Sequence, residues 1–197
     1  MTAQHTRFYL VRHGPTHAKT MLGWTDRPAD LTDSAALFRL RDNLPQTAMM
    51  ISSDLIRATA TADALQGSFY QRLPHDPNLR ELNFGDWEDQ THAEVDIHSP
   101  ELLRAFWVDA GDISPPNGDS WNQMALRVSQ TIDRLAANHA GQNIVVVAHF
   151  GAILATVQHA LQSDVQAVFA HRIENLSVTQ LSYWRGQWTV DRINYCP

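Results

Sequence analysis

Three short apolar runs, residues 8–11, 48–51 and 144–148, each give way to a polar stretch. Those stretches are Arg12-His13-Gly14, Ser52-Ser53-Asp54 and His149-Phe150-Gly151. The runs are continuously apolar rather than alternating, which is the pattern of strands buried on both faces. Such strands, separated by helices, pack as a parallel sheet between helical layers. The spacing predicts an α/β fold: a three-layer α/β/α sandwich around a mostly parallel central sheet. In open sheets of this kind ligands gather at the carboxyl ends of the strands. Arg12, His13 and His149 fall at such ends, and Arg57 lies one turn into the helix expected after the second run.

The remaining pattern fits around these units. A helix is expected over residues 32–44, capped by Thr32 and stopped before Pro45. Trp121, Met124, Val128, Ile132 and Leu135 share one helical stripe, with Asp119 or Ser120 as its cap. Residues 177–183 and 187–193 read as a hairpin turning at Arg185-Gly186. Residues 86–119 break the alternation and carry Pro100, Pro115, Pro116 and Gly118, so they read as an inserted helical lid. With no repeat or linker, residues 1–197 are expected to form a single domain.

Composition narrows the partners. The net charge is −6 with no basic stripe, which argues against a nucleic-acid or anionic-membrane surface. No apolar stretch is long enough to span a bilayer. The single cysteine, Cys196, has no internal partner, and the first strand is expected to begin near Arg7, leaving no room ahead of it for a signal peptide. A cytoplasmic location is the expectation, and a homodimer is one assembly the sequence leaves open.

An arginine beside a histidine at a strand end suits phosphoryl chemistry without a metal. Arginine offers a planar, permanently charged fork to phosphate oxygens. Histidine can serve as nucleophile or as acid and base near neutral pH. The other histidines lack metal-ligand spacing, and no glycine-rich phosphate loop is present, so neither a metal nor a cofactor is expected.

The chain resembles the histidine phosphatase superfamily, the phosphoglycerate mutase-like family. The resemblance rests on four stretches in the family's order: Arg12-His13-Gly14-x-Thr16; Ser52-Ser53-x-Leu55-x-Arg57-Ala58-x-x-Thr61-Ala62; Glu81-x-x-x-Gly85-x-Trp87-Glu88; and Ala148-His149-x-Gly151. It implies that His13 attacks phosphorus through Nε2 and becomes a phosphohistidine, with a backbone carbonyl holding its Nδ1. It implies that Arg12, Arg57 and His149 hold the phosphoryl oxygens. Glu81 would be the proton donor, kept protonated by burial or neighbouring carboxylates. Glu88 is the alternative donor. Thr16, Lys19 and Ser120 are candidate substrate contacts, although capping alone would explain Ser120. Phe150 stands where the family commonly has glycine, which leaves the pocket wall open.

The resemblance implies a phosphomonoesterase acting on a small phosphate ester. Length and the stretch Glu81-Leu82-Asn83-Phe84-Gly85-Asp86-Trp87-Glu88 look most like the α-ribazole phosphatase members, for which α-ribazole 5′-phosphate is the substrate. A broad-specificity phosphatase, a cofactor-dependent mutase and a non-catalytic phospho-ligand binding module are the alternatives. The lid holds nine acids against Arg104 alone. Such a field would repel a second anionic group, favouring a neutral or weakly cationic leaving group over a mutase substrate; solvated acids are the plainer alternative.

Overall fold

The computed structural model describes residues 5–197, so positions 1–4 of the expected domain lie outside the described residues. Six strands form one sheet: β1 (Thr6–Arg12), β2 (Ala48–Ser52), β3 (Tyr70–Arg72), β4 (Asn143–Ala148), β5 (Val178–Trp184) and β6 (Gln187–Tyr195). Their order is β3-β2-β4-β1-β5-β6. The first four run parallel, and β5 and β6 add an antiparallel edge hairpin. Its turn residues, Arg185 and Gly186, both have positive φ, as a two-residue hairpin turn that follows the sheet's twist requires.

Side chains alternate across the sheet and build two cores. On one face Phe8, Leu10, Ile51, Ile144 and Val146 pack with α5 (Trp121–Asn138), α6 (Phe150–Leu161) and α7 (Val165–Phe169). On the other, Val11, Met50, Val145 and Val147 pack with α1 (Ser34–Asn43) and α2 (Ile56–Leu65). Each fully buried aliphatic side chain stabilises the fold by roughly 1.5–3 kcal/mol relative to exposure. This is the three-layer sandwich expected from the apolar runs.

The register places the polar ends of the strands side by side. Arg12 pairs with Ala148, so His13 and His149 leave the sheet as neighbours, and the His13 N–H donates to the Ala148 carbonyl at 3.0 Å. Ser52 pairs with Val147 on the other side of β4, and α2 begins four residues later. Antiparallel β5 starts beside the end of β1, which brings the segment before it, including Ile173 and Asn175, to the same edge.

The insertion contains α3 (His92–His98) and α4 (Pro100–Val108), and it is docked rather than free-standing. Val95, Leu103 and Phe106 are buried in the larger core. Gly85 joins it to the start of α5: its φ is +53°, and a side chain there would overlap the Pro116 carbonyl. Among the described residues no helix is long and apolar enough to cross a membrane.

One cap differs from expectation, and a second is supplied from outside its own helix. Asp33, not Thr32, caps α1 by accepting the Ala36 N–H, while Thr32 bonds the Asp30 carboxylate. Leu55 has no side chain able to cap α2, and Asp26 from a distant loop accepts the Ile56 N–H at 2.7 Å instead. Ser120 caps α5 in a reciprocal box with Gln123. Replacing Ser120 by alanine is expected to lower stability by about 1 kcal/mol in urea denaturation, the usual loss for a removed cap. An accompanying large rise in KM would show that Ser120 also touches substrate.

Candidate active site

Arg57 is fully buried at the meeting point of β1, α2 and the end of β4. Its Nε–H is shared between His13 Nε2 and His149 Nδ1, each at 3.2 Å. Its terminal nitrogens donate to the carbonyls of Thr25 (3.0 Å) and Gly23 (2.5 Å). Burial pulls the guanidinium pKa down, and the charges of Glu81, Asp26 and Glu88 push it back up. In this arrangement Arg57 holds two imidazoles, leaving a spare hydrogen on each terminal nitrogen to meet a phosphoryl oxygen.

The partners of the two histidines assign their tautomers. His13 Nδ1 lies 2.7 Å from the Gly14 carbonyl, which can only accept, so Nδ1 carries the proton and Nε2 the lone pair. His149 accepts from Arg57 at Nδ1, so its proton sits on Nε2. That Nε2 is buried with no partner, as is Arg12 Nε. Two orphaned donors in one site are costly unless an acceptor arrives, because a buried unmade hydrogen bond costs about 1–3 kcal/mol.

Burial, then the Arg57 charge, lowers the His13 pKa to about 3, against the opposing pull of the Gly14 carbonyl. Burial and the neighbouring His13 and arginines also push His149 well below the usual imidazole range. Both rings are therefore neutral at neutral pH.

Arg12 stays partly exposed. It donates to the Ile173 carbonyl at 2.6 Å and lies 5.6 Å from the centre of the Phe150 ring. Asn175 donates to the His13 carbonyl at 2.8 Å. Thr61, buried in α2, accepts the Gly14 N–H and donates to the Arg57 carbonyl, which ties the two motif segments together.

Glu81 is 8% exposed and sits at the N-terminus of α6. Its carboxylate accepts the Gly151 N–H at 3.0 Å and the Leu82 N–H at 2.9 Å. A methyl group on Gly151 would overlap Oε1, so only glycine admits the carboxylate here. Arg127 of α5 fixes the backbone beneath it by donating to the carbonyls of Asn78, Arg80 and Glu81.

The neighbouring carboxylates invoked for Glu81 face elsewhere. Glu88 accepts the backbone N–H groups of Gly23, Trp24, Thr25 and Phe84, so it organises the loop whose carbonyls hold Arg57. Asp86 takes Asn117, and Asp89 pairs with Arg27. Glu94 closes the capping box of α3, and Asp119 pairs with Arg127. These lid acids hold the fold together rather than forming a free repulsive field.

The structure thus brings together Arg12, His13, Arg57, Glu81 and His149. Thr16 is half-buried and Lys19 exposed, and neither makes a side-chain hydrogen bond among the described residues. The Ser120 hydroxyl accepts the Gln123 N–H. Sequence reasoning missed Asp26, Arg127 and Asn175, which act on backbone groups and so leave no motif. Thr61 stood inside a quoted stretch without a role.

A family model described as the histidine phosphatase superfamily (branch 1) matches residues 8–195. An adenosylcobalamin/alpha-ribazole phosphatase of Salmonella typhimurium is 28% identical over 197 residues, covering 95% of this chain and 96% of that protein. A glucosyl-3-phosphoglycerate phosphatase of Mycolicibacterium vanbaalenii is 34% identical over 168 residues, covering 76% and 71%. The solved structure of a mycobacterial glucosyl-3-phosphoglycerate phosphatase superposes with a TM-score of 0.84 at 29% identity, covering 98% of this chain and 100% of that one. The chain spans about half the length of other curated relatives it matches, among them a bifunctional protein of Mycobacterium tuberculosis, of which it covers 54%.

Two outcomes test this geometry. Gly151→Ala is expected to displace the Glu81 carboxylate and reduce turnover of a phosphate monoester by roughly a hundredfold, the scale of a displaced acid–base group. The second concerns pH. Between about pH 6.5 and 3 the unfolded chain binds a proton at His13 and the folded chain does not. Stability therefore falls as pH falls through this window, by about 2 kcal/mol from pH 7 to 5 for this one group. His13→Asn is expected to flatten that slope in denaturant titrations at the two pH values.

Proposed function

Because this chain belongs to the histidine phosphatase superfamily, we propose that it is a phosphomonoesterase working through a phosphohistidine at His13. The observation that carries the proposal is the tautomer arrangement. The Gly14 carbonyl accepts the Nδ1–H, which leaves the lone pair on Nε2, where it accepts a long, shared hydrogen bond from Arg57 Nε that substrate would displace. The unpartnered donors Arg12 Nε and His149 Nε2 support it as groups that would meet phosphoryl oxygens.

In the first step His13 Nε2 attacks phosphorus and the ester P–O bond breaks. Arg12, Arg57 and His149 offset the charge on the phosphoryl oxygens, which is the main demand of this transition state. Glu81 hands a proton to the departing oxygen, so the alcohol leaves neutral. In the second step water attacks the phosphohistidine, Glu81 takes the water's proton, and the P–N bond breaks. Inorganic phosphate leaves, and His13 and Glu81 return to their starting forms. Glu81 suits this role better than Glu88, whose oxygens are engaged by four backbone donors.

The substrate is a small phosphate ester handled in the cytoplasm. Relatives named for alpha-ribazole and for glucosyl-3-phosphoglycerate both lie within reach by identity. Of the two, α-ribazole 5′-phosphate suits the site better, since its leaving group carries an aromatic base and no second anion.

The test is phosphate release from a panel of monoesters in the presence of chelator. Turnover is expected to persist, and His13→Ala to lower it by roughly a thousandfold or more. Rapid alkaline quench should recover phosphate on the peptide containing His13. Activity abolished by chelator, or undiminished in the variant, would overturn the mechanism.

A further inference from the structure

The space beyond the Glu81 carboxylate is walled by aromatic rings. Phe84 follows the Glu81 loop, Phe106 and Trp107 come from α4, Trp121 from α5, Phe150 from α6 and Phe169 from α7. The cleft they form with Glu81 has a volume of about 70 Å³. Phe106 and Trp107 meet edge to face at 5.0 Å, and Trp121 and Phe169 at 4.8 Å, so the walls are packed against one another. The Trp121 Nε1–H donates to Gln158, leaving its ring as the face available. Glu81 is the one acidic side chain on the lining.

This inference rests on the phosphatase reading and concerns the far side of the same site. The departing oxygen must reach the Glu81 carboxylate to receive its proton. Whatever is bonded to that oxygen then extends past Glu81, into the aromatic cleft. We propose that this cleft is the leaving-group subsite and that it takes an uncharged, flat apolar group. The preference follows from the lining. A second anion entering the cleft would lose its hydration and meet aromatic walls, because the one polar side chain on the lining, Glu81, is committed to the departing oxygen. A flat apolar group instead gains burial and ring contacts.

The cleft is narrow, and Phe150 and Trp107, 38% and 40% exposed, are its open walls. The near part of a bound ring occupies the cleft, and a larger ring system continues along these two faces. Phe150 also links the two halves of the site, because the Arg12 guanidinium rests over its ring. The unusual residue between His149 and Gly151 therefore joins phosphate binding to leaving-group selection. Selectivity arises from this lining and not from the lid's acids, none of which lines the cleft.

The test compares esters of similar intrinsic reactivity: benzyl phosphate, ethyl phosphate, 3-phosphoglycerate and phosphocholine. Benzyl phosphate is expected to exceed ethyl phosphate in kcat/KM by roughly tenfold or more, the scale of one buried ring face. 3-Phosphoglycerate should fall below ethyl phosphate. In Trp107→Ala the benzyl-to-ethyl ratio should drop toward one. Calorimetry with the non-hydrolysable benzylphosphonate and ethylphosphonate provides a readout independent of turnover, with the benzyl compound expected to bind more tightly. If no ester is turned over but benzylphosphonate binds preferentially, the phosphatase reading fails and the apolar subsite stands. Equal rates and equal binding for the benzyl and ethyl compounds, a ratio unmoved in Trp107→Ala, or a preference for 3-phosphoglycerate or phosphocholine would overturn the subsite.

Discussion

A guanidinium with no exposed surface organises this molecule. Burying an unpaired cation is prohibitive, so Arg57 must find an acceptor for its donors wherever the chain places it. It finds four: two backbone carbonyls from the loop at residues 23–25, and one ring nitrogen from each of two histidines. No carboxylate touches it directly; Glu81, Asp26 and Glu88 act on it through space. The arrangement keeps both imidazoles neutral and fixes which nitrogen of each carries the proton. The lone pair on His13 Nε2 is thus a consequence of how a buried charge is accommodated.

Other parts of the structure support that accommodation. Glu88 collects the N–H groups of residues 23–25, orienting the carbonyls of Gly23 and Thr25 toward Arg57. Asp26, the next residue along, caps the helix that carries Arg57. Thr61, one turn further along that helix, bonds back to Gly14. On the opposite side Arg127 holds the backbone that presents Glu81, and the α6 N-terminus receives its carboxylate. A charge-neutral change at Glu88 would act on chemistry it never touches, through the loop and Arg57.

The acidic insertion shows how charge in a sequence differs from charge in a structure. Read along the chain, nine acids against one base suggest a repulsive field over the site. In the fold six of them cap a helix, pair with arginines, or accept N–H groups from the backbone or from asparagine side chains. The cleft beyond Glu81 is aromatic, supplied by four helices and one loop that are far apart in sequence. Selection against a second anion survives as an expectation, but its cause moves from repulsion to the lack of any group that could replace water.

The apolar runs ending in Arg12-His13 and His149 were enough to specify a parallel sheet with those residues at one edge, because strand burial is written in local sequence and each motif is contiguous. Helix α5 and the hairpin turn were legible for the same reason. Local pattern could not assign the cap of α2, whose own N-cap residue is a leucine, nor choose between Glu81 and Glu88, which are seven residues apart with similar neighbours. Those choices depend on backbone donors and acceptors, which every residue carries and no motif records. Only the tertiary structure decided that Gly151 makes room for the Glu81 carboxylate, that Glu88 serves the loop, and that six rings from distant segments line one cleft beside Glu81. Each of these is set by which groups meet in space, and a linear sequence does not contain that distance.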